Sequence, residues 1–254
     1  MHFMIDLETL SHHHDARIIT IGVVAFDPLA EKPLAPPDAE TTFYRCVDWV
    51  NNTGHISPET VAWWMKQSDE ARYAALGGVS TITPISIPEW QSSNHLFPLG
   101  SVLQSLSLWM SSKAEKEDRI VWGHGATFDP VVLVNAYRAA DLENLLPWDF
   151  RNVRDTRTLF AMTPGFDIAK HMPKEGKHIA YMDAWRQAEA VRWCCNQIEA
   201  MRVGADMLLG DLSVMTGMRT SSHLTRRTDD SLEVEHADVP DALAKEAWRG
   251  RTPP

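Results

Sequence analysis

One mixed α/β domain is the fold class this sequence predicts, and three observations predict it. Short β-branched and apolar stretches crowd the chain up to Val47, helical periodicities with start signals dominate beyond it, and a further strand-like stretch, Arg119 to Trp122, interrupts the helices. With 254 residues, of which 44% are hydrophobic and 23% charged, the chain is long enough to bury a sizeable core.

His2 to Glu8 alternates as a short strand, and Arg17 to Phe26 reads as a second, largely apolar one. Only Thr9 to Ala16 separates them, which predicts a hairpin-like antiparallel pair. A Pro-rich connection leads to a third strand at Thr42 to Val47. Ser57-Pro58-Glu59 combines a capping side chain, a proline for the first helical position and an acid in the first turn, so a helix starts there. Ser68-Asp69-Glu70 starts another, through Ala71 to Leu76. Residues 77–100 are rich in Ser, Thr, Pro and Gly and read as an insertion. Val102, Leu103, Leu106, Trp109 and Met110 recur at helical spacing. After the fourth strand, Asp129-Pro130 opens a helix with Val132, Leu133, Ala136, Tyr137 and Ala140 on one face, and a long helix is expected from about His178 to Arg202. Apolar periodicity fades beyond Ser222. The expected organisation is one domain over 1–222 and a loosely ordered tail over 223–254.

The balance of 24 Lys+Arg against 34 Asp+Glu gives a formal charge of −10. That argues against holding nucleic acid by bulk charge alone, yet leaves open an enzyme whose positive charge arrives as bound metal. The composition excludes a disordered, collagenous or disulfide-scaffold chain. No apolar run approaches the ~20 residues of a membrane span, and a strand reaching a carboxylate at Asp6 does not fit a signal peptide. Cys194 and Cys195 are adjacent and Cys46 is distant, so reduced thiols in a cytoplasmic compartment are the simpler expectation.

Four acids and one histidine carry the chemistry. Asp6 and Glu8, two apart on a strand, share a face about 6.5–7 Å from each other. Two converging anions repel unless a proton or a cation intervenes, and hard divalent cations prefer such an oxygen environment. A strand end with two solvated acids is the plain alternative, weakened by the apolar Phe3-Met4-Ile5 that precedes the pair. Asp129 before Pro130 suits a helix N-cap, but the end of a central strand is also where α/β sheets place ligand-binding groups. His178 and Asp183, five apart, would diverge by about 140° on one helix. They can share a site only if His178 sits on the entry loop or first turn and Asp183 inside the helix. A histidine in an accessible loop suits general-base work on a water.

Taken together, Met4-Ile5-Asp6-Leu7-Glu8-Thr9-Leu10, Trp122-Gly123-His124-Gly125-Ala126-Thr127-Phe128-Asp129 and His178-Ile179-Ala180-Tyr181-Met182-Asp183-Ala184 resemble the DEDDh exonucleases, the DnaQ-like branch of the ribonuclease H-like fold. Thr60-Val61-Ala62-Trp63-Trp64, Gln67-Ser68, Ala71-Arg72 and Asp155-Thr156-Arg157-Thr158-Leu159 are similar to the RNase AS and phage DexA group within it. The resemblance covers roughly residues 1–203. It implies a ribonuclease H-like fold with a mixed central sheet of about five strands flanked by helices. It implies metal-dependent 3′–5′ hydrolysis of single-stranded DNA or RNA to nucleoside 5′-monophosphates, with two divalent cations, Mg²⁺ or Mn²⁺, held by Asp6, Glu8, Asp129 and Asp183. His178 would deprotonate the attacking water. Leu7, Thr9 and Leu10 would pack on the terminal sugar and base, and Phe128 would wall the pocket. One of the adjacent Trp63 and Trp64 would be core and the other a base-stacking surface, with Trp64 taken for that role. Arg157 would hold a phosphate or simply pair with a carboxylate. Relatives of this kind are often dimers, and the apolar late helix would allow a homodimer; no membrane contact is expected. The competing reading is a non-catalytic nucleic-acid-binding or proofreading-type accessory protein of the same fold, which would require a lost ligand, and all five positions are filled. His12-His13-His14 reads as a solvated loop.

Overall fold

The computed structural model of the chain describes residues 1–75, 96–172 and 177–216. Most of the expected insertion at 77–100 and all of the 223–254 tail lie outside them. The chain divides into two units, Met1–Asp206 and Met207–Pro254, and the secondary structure that positions the acids belongs to the first.

Three strands lead, β1 (His2–Thr9), β2 (Ile18–Phe26) and β3 (Thr42–Cys46), followed by two short helices, α1 (Pro58–Trp64) and α2 (Asp69–Ala75). Helix α3 (Leu99–Ser111), strand β4 (Ile120–Gly123), helix α4 (Asp129–Ala139), strand β5 (Val153–Asp155) and helices α5 (Thr156–Met162), α6 (Ile168–His171) and α7 (Ala180–Thr216) complete the described chain. The strands form one mixed sheet in the order β3-β2-β1-β4-β5. β1 pairs antiparallel with β2 and parallel with β4; β2–β3 is antiparallel and β4–β5 parallel. This is an α/β domain with a five-stranded mixed sheet flanked by helices, in keeping with the ribonuclease H-like fold.

β1 lies at the centre, so its alternate side chains feed two cores. Phe3, Ile5 and Leu7 pack with Val102, Leu103 and Leu106 of α3 and Leu133 and Tyr137 of α4. Met4, on the opposite face, packs with Val24, Phe26 and Trp122 and with Ala184, Ala188, Val191 and Cys194 of α7. Asp6 and Glu8 continue the Met4 face toward the start of α7. The expected cap at Ser57 forms: its side chain accepts from the Thr60 N–H at 3.2 Å.

Three expectations are corrected. β5 and the short helices α5 and α6 have no counterpart among the predicted elements; three residues are too few to display an alternation. Asp129 is not an N-cap. The cap position is Phe128, without a side-chain bond, because the Asp129 carboxylate is turned away to accept from the Leu7 N–H of β1 at 3.1 Å. The late helix starts at Ala180, two residues after His178, and runs on to Thr216.

α7 can sit so close to the sheet for one local reason. Gly22 of β2, paired with Asp6, faces the first turn of α7, and a Cβ there would lie 2.4 Å from both the Ala180 carbonyl carbon and the Tyr181 nitrogen. Real Cβ atoms do not approach backbone so closely, so any side chain would push the helix off the sheet. Gly22→Ala is expected to lower unfolding free energy by about 1–3 kcal/mol as an overpacking substitution. Gly204→Ala, at a helical glycine with open space around it, is expected to raise it by about 0.5–1 kcal/mol. Urea midpoints of both variants check this; a Gly22→Ala midpoint at or above that of the parent would contradict the packing described.

Candidate active site

The sheet and α7 bring four carboxylates to one place. Asp6 and Glu8 leave β1 on the α7 side, Asp183 points from the first turn of α7, and Asp129 reaches over the end of β1 from the start of α4. The antiparallel register slips between Glu8 and Thr9, a bulge of the kind that re-aims side chains beside functional sites. Glu8 and Asp129 are 8% and 5% exposed. Burial pushes the Asp6 carboxyl well above the usual carboxylate range, and the charges of Asp129, Glu8 and Asp183 push it further. Glu8 is raised well above its usual range by burial, then by Asp183 and Asp129. Asp129 is raised by burial to about 7, in spite of the bond from the Leu7 N–H.

His178 meets the geometric condition set by its spacing. It is off the helix, in the left-handed region at φ 67°, and its N–H donates to Asp183 Oδ2 at 2.6 Å. That bond ties the entry loop to the first turn of α7 and turns the imidazole toward the acids. One donor atom each from Glu8, His178 and Asp183 lie within 4.8 Å of one another. Burial holds the His178 pKa below its ordinary value, against the opposing charge of Asp183. Trp63 sets the ring from the other side, edge to face at 4.7 Å between centroids. Arg186 pairs with Asp183 Oδ1 at 3.0 Å, and Gln187 donates from Nε2 to Asp6 Oδ1 at 2.8 Å.

The remaining expected contact residues separate into two groups. The Leu7 side chain is in the core, so only its main chain faces the acids. Trp64 is likewise buried with Ile19, Ala71 and Ala75, its indole N–H donating to the Thr9 carbonyl at 2.9 Å. This corrects the assignment of the two tryptophans: Trp63, 40% exposed, has the accessible ring. Thr9 is buried, with its hydroxyl donating to the Ser11 carbonyl. Leu10 and Phe128 stay partly exposed at the edges of the cores. Arg157, exposed at the start of α5, lies against the Gly125 turn and forms no ion pair among the described residues; its charge draws the Asp129 pKa down. His12, His13 and His14 are exposed. His13 stacks on His55 at 3.8 Å between centroids, and among the described residues neither ring belongs to a group of potential metal ligands.

Sequence reasoning missed Gly22, Arg186 and Gln187. A lone glycine in the apolar run Ile18–Phe26 was the available signal, since glycine inside a strand often marks a close backbone approach. Gln187 and Asp183 are four apart, hence on one helix face, but only the fold shows that this face meets Asp6.

Residues 1–195 match the model of the 3′–5′ exoribonuclease Rv2179c-like domain. The chain belongs to that family. It is a 3′–5′ exonuclease, and a relative supports this: it is 28% identical over 181 residues to the exodeoxyribonuclease of Enterobacteria phage T4, covering 61% of this chain and 69% of the phage protein. In this Rv2179c-like domain the acids and His178 all fall inside the matched residues. Among the described residues no helix is long and apolar enough to cross a membrane, and all three cysteines are free thiols.

The raised carboxyls make a pH-dependent liability. An Asp129 held at about 7 when folded and near 4 when unfolded keeps its proton longer in the folded chain. Its contribution to stability is therefore greatest below pH 4 and declines as pH rises to 7. His2, which burial lowers to about 4, acts in the opposite sense, so the test is a difference. In EDTA, Asp129→Asn is expected to gain on the parent by about 2–3 kcal/mol between pH 5 and pH 8 in urea unfolding, at about 1.4 kcal/mol per pH unit up to 7. A pH-independent difference would contradict the buried placement of Asp129.

Proposed function

We propose that this exonuclease removes nucleoside 5′-monophosphates one at a time from the 3′ end of single-stranded nucleic acid, using two divalent cations and His178 as general base. The observation that supports it most is the convergence of Asp6, Glu8, Asp129 and Asp183 with His178 on one partly buried spot. The donor set fits hard cations: oxygen donors predominate, and burial first, then mutual repulsion, raises the pKa values of Asp6 and Glu8, a penalty that bound positive charge would relieve. Asp6, Glu8, Asp129 and Asp183 would hold Mg²⁺ or Mn²⁺, which when bound would stabilise the attacking and leaving oxygens of an in-line displacement.

The protein's own groups do the rest. His178, kept neutral by burial, accepts the proton of the attacking water at a ring nitrogen, while Asp183 holds its main chain in place. Leu10, Phe128 and the accessible ring of Trp63 line the approach for the terminal base, since stacking on an aromatic ring is tolerant of sequence. Arg157 offers an exposed cation for a phosphate, compensating locally for the net charge of −10. The family is one of exoribonucleases and the phage relative is an exodeoxyribonuclease, so either sugar is a candidate and the assay below assigns it. The free thiols suit a reducing, cytoplasmic compartment, and the long α7 would suit a homodimer.

With 5′-labelled single-stranded RNA and DNA oligomers and Mg²⁺ or Mn²⁺, the expected outcome is a ladder shortening from the 3′ end, abolished by EDTA and by Asp183→Ala. The faster substrate assigns the sugar. Intact oligomers that bind the protein as tightly as a cleavable control would favour the accessory-protein reading instead. Trp63→Ala is expected to raise KM for oligomers about 5–150-fold, from the ~1–3 kcal/mol of one lost stacked base. Trp64→Ala should instead lower the urea midpoint, as loss of a buried aromatic side chain does. Equal effects of the two substitutions on KM would contradict the distinction between them.

A further inference from the structure

Gln187 is 4% exposed, one turn beyond Asp183 on the same face of α7. Its Nε2 donates to Asp6 Oδ1 at 2.8 Å, linking positions 181 residues apart. With Asp6 ionised, as a bound cation requires, the opposite orientation of the amide would set two acceptors against each other, so the carboxylate selects this one. Its Oε1 is then fully buried and has no hydrogen-bond partner among the described residues. A buried acceptor without a donor costs about 1–3 kcal/mol, and buried polar atoms are rarely left that way. Among the described residues no backbone or side-chain group donates to it, which leaves room for a donor that is not part of them.

We propose that Gln187 is a positioning residue for the cation site: its Nε2 fixes the carboxylate of Asp6, and its Oε1 accepts from a water that enters with the cation. The inference rests on the reading of the four acids as a cation site. Groups that orient a ligand carboxylate while touching no metal are known to matter, their loss weakening metal binding by about 10–100-fold. α7 thus contributes two adjacent orienting side chains, with Arg186 on Asp183 and Gln187 on Asp6. Gln187 differs from Arg186 in adding no charge that would compete with the cation.

The test is Mn²⁺ binding at neutral pH, followed by the electron paramagnetic resonance of free and bound Mn²⁺, on the full chain. Gln187→Met keeps the length and removes both polar atoms. Gln187→Asn keeps the amide but falls one methylene short of Asp6. Both are expected to raise the Mn²⁺ Kd about 10-fold or more and to alter the spectrum of bound Mn²⁺. In an Asp6→Asn background, Gln187→Met is expected to add less than a twofold change, because the amide acts through the carboxylate; a merely structural role would give the same factor in both backgrounds. If the parent protein binds no Mn²⁺, the cation reading itself fails. If the parent binds and both Gln187 variants match it within twofold, that reading stands and the role given to Gln187 is overturned.

Discussion

With only a hydrogen in place of a side chain, Gly22 lets the backbone of the first turn of α7 rest directly on β2. Nearly everything about the site follows from that approach. β2 is registered so that Gly22 stands beside Asp6, and the helix turn lying on it carries Asp183 and, one turn later, Gln187. A helix held off by even one methyl group would leave His178 and Asp183 out of reach of Glu8. The alanines of α7 that face the sheet, Ala184 and Ala188, are fully buried and continue the same close packing along the helix. Small residues at the contact therefore trade hydrophobic volume for the placement of charged groups.

The second constraint is electrostatic. Four carboxylates in one desolvated place oppose folding, and the structure offsets this only in part. The Leu7 N–H, the His178 N–H, the Arg186 guanidinium and the Gln187 amide each reach one carboxylate oxygen. The bonds to Asp6 and Asp129 orient these acids without neutralising them, as their raised carboxyls show. Protons fill the gap in the absence of other cations. The proposed reaction requires the protons to give way to divalent metal. Strain of this sort is what a site for cationic cofactors is expected to store, and a protein selected for stability alone would replace the acids.

Much of this was legible in the sequence because it depended on short-range periodicity. The two-residue spacing of Asp6 and Glu8 after an apolar strand, and the requirement that His178 stand off the helix bearing Asp183, are local geometry. The capping motif at Ser57 is local as well. What was hidden depended on tertiary contact. Asp129-Pro130 has the form of a capped helix start, yet the carboxylate finds a better donor on β1, a strand more than a hundred residues earlier. Trp63 and Trp64 differ by one helical step, and only the position of the β1 end decides which is covered. β5 is a strand solely because β4 lies beside it. Gln187 looks like any polar residue of an amphipathic helix until Asp6 is placed against it.

In the proposed reaction Asp6, Glu8 and Asp129 form one electrostatic unit, beside Asp183, that exchanges protons for metal. Calorimetry of Mn²⁺ binding at pH 6, in buffers of different ionisation enthalpy, measures the protons released per chain. Ordinary carboxyls, with pKa values near 4, are already ionised at that pH and would release almost none. The buried cluster is expected to release about one proton or more on saturation. Tight Mn²⁺ binding with no proton release would contradict the account.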